Sequence, residues 1–378
     1  MRRPSFFVLP VALAVAAVPL VAAPASAGGW YAQPRCGDTL TRDTVLKRDL
    51  VCTTGPGLTL GVDVDLDLRG HTLEGPGSGT GILVTLEGSN TVRGGAMTGW
   101  GSGVAFLQEN VWPEDDDDPG PDSNTYGTLT VDRMRFRDNG YAVDTGGVSG
   151  LGGFTKPTTV RRSTFTDNYA GVVTAWFSTA TVDRSTFVRN RIAAWSNADL
   201  TVTRSTFLRN ETAATAYEAS VDVSGSVLVG NTTGVSAAGV GFAGVTRSTV
   251  VGGDVAIHAG SAGTVTVRDS LVKRAGTGLL VDGGSATVDR TVFRGNDVGL
   301  RQSDASWGTT VVRDSRFARN GDGLVSEWEY EDGIRIGGTT AVKNSGWGIH
   351  APEAVDLGGN RAWGNGRSPQ CVGVVCGR

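Results

Sequence analysis

Methionine and histidine are scarce, with three of each in 378 residues. A copper-handling role needs clustered imidazole and thioether ligands, so this scarcity argues against it. Lysine is nearly missing too: Lys47, Lys156, Lys273 and Lys343 are the four, and arginine carries the rest of the positive charge. The formal net charge is −4, a mild acidity that argues against nucleic acid or anionic membrane as a partner. Helical periodicity is absent. Beyond residue 23 no apolar run is long enough to span a bilayer.

What is present begins with a secretion signal. Arg2 and Arg3 precede an apolar run over residues 6–23, and Ala25-Ser26-Ala27 fits a signal-peptidase site. Residues 1–27 read as a signal peptide, and Pro10 and Pro19 speak against a membrane anchor. Their removal deletes two arginines and no acid, so the mature charge is −4 − 2 = −6.

Glycine is abundant, 56 residues, as a chain of many tight turns requires. The turns are spaced by a repeat. VRRSTFTDNYAGVV, VDRSTFVRNRIAAW and VTRSTFLRNETAAT start at Val160, Val182 and Val202, a period of 22 and then 20 residues. Each reads V-x-x-S-x-F-x-x-N-x-x-(G/A)-(V/A). The alternation is that of short strands, with Asn where the chain turns. A strand-only period of this size makes a solenoid whose coils bury their apolar faces against one another. Phe136, Phe165, Phe187, Phe207, Phe293 and Phe317 mark equivalent positions, with weaker copies at Leu73, Met97, Val342 and Ala362, about thirteen coils in all.

This pattern, with the opening LGVDVDLDLRGHTLEG and the TGILV that follows, resembles the right-handed parallel β-helix superfamily of pectate lyases, polygalacturonases and NosD-like secreted repeat proteins. The resemblance implies an all-β right-handed parallel β-helix solenoid and leaves activity open, because one scaffold hosts many activities. Polygalacturonases carry Asp just before the Gly of neighbouring G-I strands. Here only Asp322 matches, so the glycosidase carboxylate pair is absent in that form. Pectate lyases gather Ca²⁺-binding carboxylates beside an Arg base, for which Asp282 with Arg301 is the nearest match.

Four cysteines allow three pairings. A dozen coils at ~4.8 Å each separate the chain ends by roughly 55 Å, beyond disulfide reach. The expected bridges are therefore Cys36–Cys52 and Cys371–Cys376, one at each end. The expected organisation is an N-terminal cap over 28–57, the β-helix over 58–366 and a disulfide-closed tail over 367–378. Oxidised cysteines agree with export, and the expected protein is secreted, extracellular and monomeric.

Four insertions, at 109–126, 146–157, 303–309 and 326–333, all follow the G-V strand of their coil and so leave one edge of the rod, where function concentrates. The first holds Asp115, Asp116, Asp117 and Asp118, candidate Ca²⁺ ligands lacking the spacing of a dedicated loop. Glu327, Glu329, Glu331 and Asp332 repeat the theme. The Asn column and the Ser column (Ser163, Ser185, Ser205, Ser226, Ser248, Ser270, Ser315) read as structural ladders. An Arg column at Arg133, Arg162, Arg184, Arg204, Arg247 and Arg290 needs acids between its like charges, and Asp132, Asp183 and Asp289 can supply them.

The outward column of the G-V strand reads Asp144, Val173, Trp195, Thr215, Ser236, His258, Leu280, Arg301 and Val325, with Tyr217 two residues on. Trp195, Tyr217 and Trp176 offer aromatic faces for sugar rings, and with Asp144 they form the expected ligand-binding set. Asp282, Arg301 and His258 fall on three consecutive coils and form the candidate catalytic set for a uronic acid substrate. The expected function is binding of extracellular polysaccharide or cell-envelope glycan along this face. The alternatives are a polysaccharide lyase, hydrolase or epimerase, and a structural or adhesive surface protein.

Overall fold

The computed structural model describes residues 33–107, 127–146, 156–175, 178–303, 308–328 and 333–377. Among these residues regular structure is entirely β, and no helix is long and apolar enough to cross a membrane. Each coil adds one short strand to each of three parallel sheets of 15, 14 and 15 strands, about fourteen turns. A strand pairs with its equivalent one coil away, in the register of the sequence repeat: Phe165 opposes Phe187, which opposes Phe207.

One coil shows why these residues fold this way. Asp199–Thr203 buries Leu200 and Val202, Thr206–Leu208 buries Phe207, and Thr212–Tyr217 buries Ala213, Ala214 and Ala216. Bulky rings on the third sheet thus face small residues on the first. The rings stack: Phe165–Phe187 and Phe187–Phe207 centroids lie 4.6 and 4.8 Å apart with planes within 8° and 5°. The Gly/Ala restriction after each Asn has the same cause. A Cβ on Gly171 would come within 2.9 Å of the Phe187 ring and collide with the Ala193 carbonyl.

The Asn column is a continuous amide ladder through Asn139, Asn168, Asn190, Asn210 and Asn231. Asn190 is typical: its Oδ1 accepts from the Asn168 backbone N–H and Nδ2, both at 3.0 Å. Its Nδ2 donates to the Phe165 carbonyl and to Asn210 Oδ1, again both at 3.0 Å. Every hydrogen-bonding site of that buried amide is filled. The ladder stops where Gly253 and Ala275 replace Asn, and resumes through Asn296, Asn320, Asn344 and Asn365. In the Ser column each backbone N–H donates to the hydroxyl one coil on, as Ser163 does to Ser185 at 3.2 Å, and Thr291 takes one place in it.

Two corners require left-handed backbone. The residue before each ladder Asn has positive φ (Arg189 52°, Arg209 55°, Arg319 56°), and so does the Arg column (Arg162 51°, Arg204 48°, Arg290 44°). Asn itself therefore supplies hydrogen bonds, while its predecessor supplies the turn. The acids expected between the stacked arginines are in place. Buried Asp132 receives Arg162 through Nε at 2.9 Å and Nη2 at 2.8 Å, and Asp183 receives Arg204 at 2.7 Å. Arg290 binds both Asp269, at 2.8 Å, and its own neighbour Asp289.

Both disulfides join the expected partners, Cys36–Cys52 and Cys371–Cys376. Residues 38–51 already contribute Asp38–Leu40, Thr44–Val45 and Leu50–Val51 to the three sheets, so solenoid pairing begins inside the stretch expected as the cap. At the other end Cys371–Val372 and Cys376–Gly377 pair onto the last coil. Lys156 lies fully buried where the chain re-enters the solenoid. Its ammonium donates to Asn90 Oδ1 at 2.6 Å and to the Gly88 carbonyl at 3.0 Å. Burial pulls its pKa down to about 8, with Asp63 opposing.

Candidate functional site

The outward column of the first sheet falls in the register read from the repeat. Asp144, Val173, Trp195, Thr215, Ser236, His258, Leu280, Arg301 and Val325 oppose one another on successive strands. A second column runs two residues on, where Tyr217 opposes Ala238 and Gly260 opposes Asp282. Period-2 alternation is the reason: residues i and i+2 share a face, and in-register stacking repeats that face on every coil.

Trp195 is half-buried, while Tyr217 is 54% exposed. Between Trp195 and His258 the column is polar, with the Ser236 hydroxyl donating to Thr215 Oγ1 at 2.8 Å. Asp144 accepts from the Gly146 N–H at 2.9 Å, yet burial holds its pKa above the usual carboxylate range. Trp176 and Asp115, Asp116, Asp117 and Asp118 lie outside the described residues, as do Glu329, Glu331 and Asp332. Among the described residues no group of three or more His, Cys, Asp or Glu is placed to hold a metal.

The three candidate catalytic residues occupy consecutive coils but find other partners. Exposed Asp282 accepts from Ser303 Oγ at 2.7 Å. Arg301 donates from Nη2 to both carboxylate oxygens of Glu327, at 2.8 and 3.1 Å. His258 leans over Gly260, where a Cβ would approach its Cε1 to 2.8 Å and its Nε2 to 3.0 Å. Its Nε2 is buried and makes no hydrogen bond. Burial lowers the His258 pKa, and the charge of Asp282 works against that. The chemistry available is a neutral imidazole acceptor, a hydroxyl-bound carboxylate and an arginine neutralised by a glutamate. Ser303 and Glu327 both lie two residues past the Arg301 column position or its equivalent, and that spacing is the sequence signal for them.

Asp322, the one match to the polygalacturonase position, is engaged structurally, its Oδ1 accepting from the Trp347 N–H at 2.6 Å. Sequence reasoning missed the aromatics at the strand-entry edge of this sheet. Tyr141 packs edge-on against Tyr169 with centroids 5.7 Å apart, and the Arg191 guanidinium covers the Tyr169 ring at 5.1 Å. Their rows become adjacent only once the coils are stacked.

Residues 190–346 match the family model described as a right handed beta helix region. The chain is a right-handed β-helix repeat protein. No curated protein matches its sequence. Among solved structures it is similar to the A-module of the Azotobacter vinelandii mannuronan C-5 epimerase AlgE6, at 14% identity over 91% of each chain with a TM-score of 0.34. That likeness says nothing about the activity of this β-helix.

Proposed function

We propose that this β-helix is an exported glycan-binding protein, with an extended polysaccharide lying across the outward columns of the first sheet. The observation that supports it is the register. It sets Trp195, Thr215, Ser236 and His258 on four successive strands, and exposed Tyr217 two residues along. Aromatic faces pack on the apolar faces of sugar rings, and the hydroxyl pair offers donors and acceptors for sugar hydroxyls. With strands ~4.8 Å apart, the rigid column meets an extended polymer without ordering cost on the protein side. Two disulfides agree with export.

A second reading, a polysaccharide lyase or epimerase, draws on one observation: His258 keeps an unpartnered nitrogen one coil from Asp282. Retention of the purified protein on immobilised neutral and acidic glycans, with and without Ca²⁺, separates the two. Retention that weakens at least tenfold in Trp195→Ala and Tyr217→Ala, without chain cleavage, is the expected result. Cleavage or epimerisation lost in Asp282→Ala would replace binding with catalysis. Neither retention nor cleavage nor epimerisation on any glycan would sink both.

A further inference from the structure

Several corner arginines of this protein are neutralised by a carboxylate one coil back. Arg162 has Asp132, Arg189 has Asp167, Arg204 has Asp183 and Arg290 has Asp269. The last coils of the third sheet carry cations without such partners. Among the described residues, Arg294, Arg316, Arg319, Lys343 and Arg361 make no ion pair.

The cause is positional. In the corner before the Asn ladder, the residue one coil back from Arg189 is Asp167, whereas Arg319 follows Gly295 and Lys343 follows Arg319. Two cations therefore stack on neighbouring coils, ~4.8 Å apart, with nothing of opposite sign between them. Arg294 and Arg316 project from adjacent strands, and Arg361 sits two strands beyond Arg316 in its column. Three earlier coils carry no charge at these outward positions, with Thr164 and Thr166, Thr186 and Val188, Thr206 and Leu208, while the coil before them has Arg135 and Arg137 there. The concentration is local, because the whole chain is net acidic.

Arg294, Arg316, Arg319 and Lys343 frame a groove of about 440 Å³ whose apolar floor includes Ala318 and Val342. Trp363, 41% exposed, forms one wall of it. The same ring lines a second hollow of about 630 Å³ beside Arg361. An unpaired cation row beside an exposed aromatic suits a ligand that carries repeating anions on a ring-bearing backbone.

We infer that the groove on the third sheet is a binding site for an anionic polysaccharide, on a different face from the site proposed above. It rests on that reading only in taking the ligand to be a glycan. A linear polymer running along the solenoid axis meets a fresh cation at nearly every coil, while Trp363 takes the face of one sugar. Carboxylate and phosphate groups answer the same description, and the polymer probes distinguish them.

The test uses the full mature chain on surfaces of polygalacturonate, phosphorylated dextran, neutral dextran and single-stranded DNA. Binding to one of the two anionic glycan-type polymers, weakened severalfold between 50 and 300 mM salt, is expected. It should fall at least tenfold in Arg316→Ser/Lys343→Ser and in Trp363→Ala, with circular dichroism confirming the fold. Arg319→Ser provides a second charge removal should the double variant fold poorly. Whichever polymer is held assigns the anion as carboxylate or phosphate. Binding that survives the charge removals but is lost in Trp195→Ala would place the anionic ligand on the first sheet and overturn this inference alone. Equal or tighter binding to DNA, or no binding to either anionic polymer, would also overturn it.

Discussion

Asn190 offers a direct test of what holds the coils in register. Replacing it with Ala removes four hydrogen bonds at once. Two partners keep a second bond: Asn168 Nδ2 still reaches Phe136, and Asn210 Oδ1 still accepts from the backbone at 190. The Asn168 N–H loses its partner outright, while the Phe165 carbonyl keeps its place in the strand ladder with Val188. At about 1–3 kcal/mol for that one orphaned buried group, the loss should be at least about 1–3 kcal/mol. Asn190→Asp keeps the shape and the acceptor but turns Nδ2 into an oxygen facing two other oxygens, each at 3.0 Å. Its folded-state pKa must rise above the unfolded value near 3.9, so the native state binds the extra proton between the two. The deficit should therefore be largest at pH 7 and shrink as the pH falls toward 4. Urea unfolding followed by circular dichroism gives the global loss, and hydrogen exchange at the Asn168 amide gives the local one. If Asn190→Ala lies within about 0.5 kcal/mol of the native protein, with the Asn168 amide equally protected, the ladder does not stabilise the stack and this reasoning is wrong.

Phe187→Ala opens the ring stack between Phe165 and Phe207 and should cost about 3–5 kcal/mol in urea unfolding. Lys156 holds its proton less tightly folded, at about 8, than unfolded, near 10.4, so the unfolded chain binds the extra proton between those values. Stability should rise by at most about 3 kcal/mol across that window, and Lys156→Met should lack the rise when unfolding is measured at pH 7 and 10. The His258 ring, followed by NMR, should titrate below the usual histidine value, and Asp282→Asn should move it lower still, since Asp282 is the group holding it up.

The sequence by itself determined the solenoid, because an in-register repeat makes position in the period equal to position in space. From V-x-x-S-x-F-x-x-N alone the inward Phe, the two polar ladders, the outward column from Asp144 to Val325 and both disulfide pairings were legible. So was the role of Asp132, Asp183 and Asp289, because each lies beside its arginine in the chain. The tertiary structure decided what depends on side-chain reach between coils. Asp282 and Arg301 are one coil apart, yet Ser303 and Glu327 are the partners within hydrogen-bonding distance. Lys156 finds Asn90 and Gly88 more than sixty residues earlier, a pairing no repeat position encodes. The cation groove on the third sheet exists because Gly295 and Arg319 occupy places where earlier coils put Asp. A formal charge count cannot show that, since neutralisation depends on distance and distance is set by the stack.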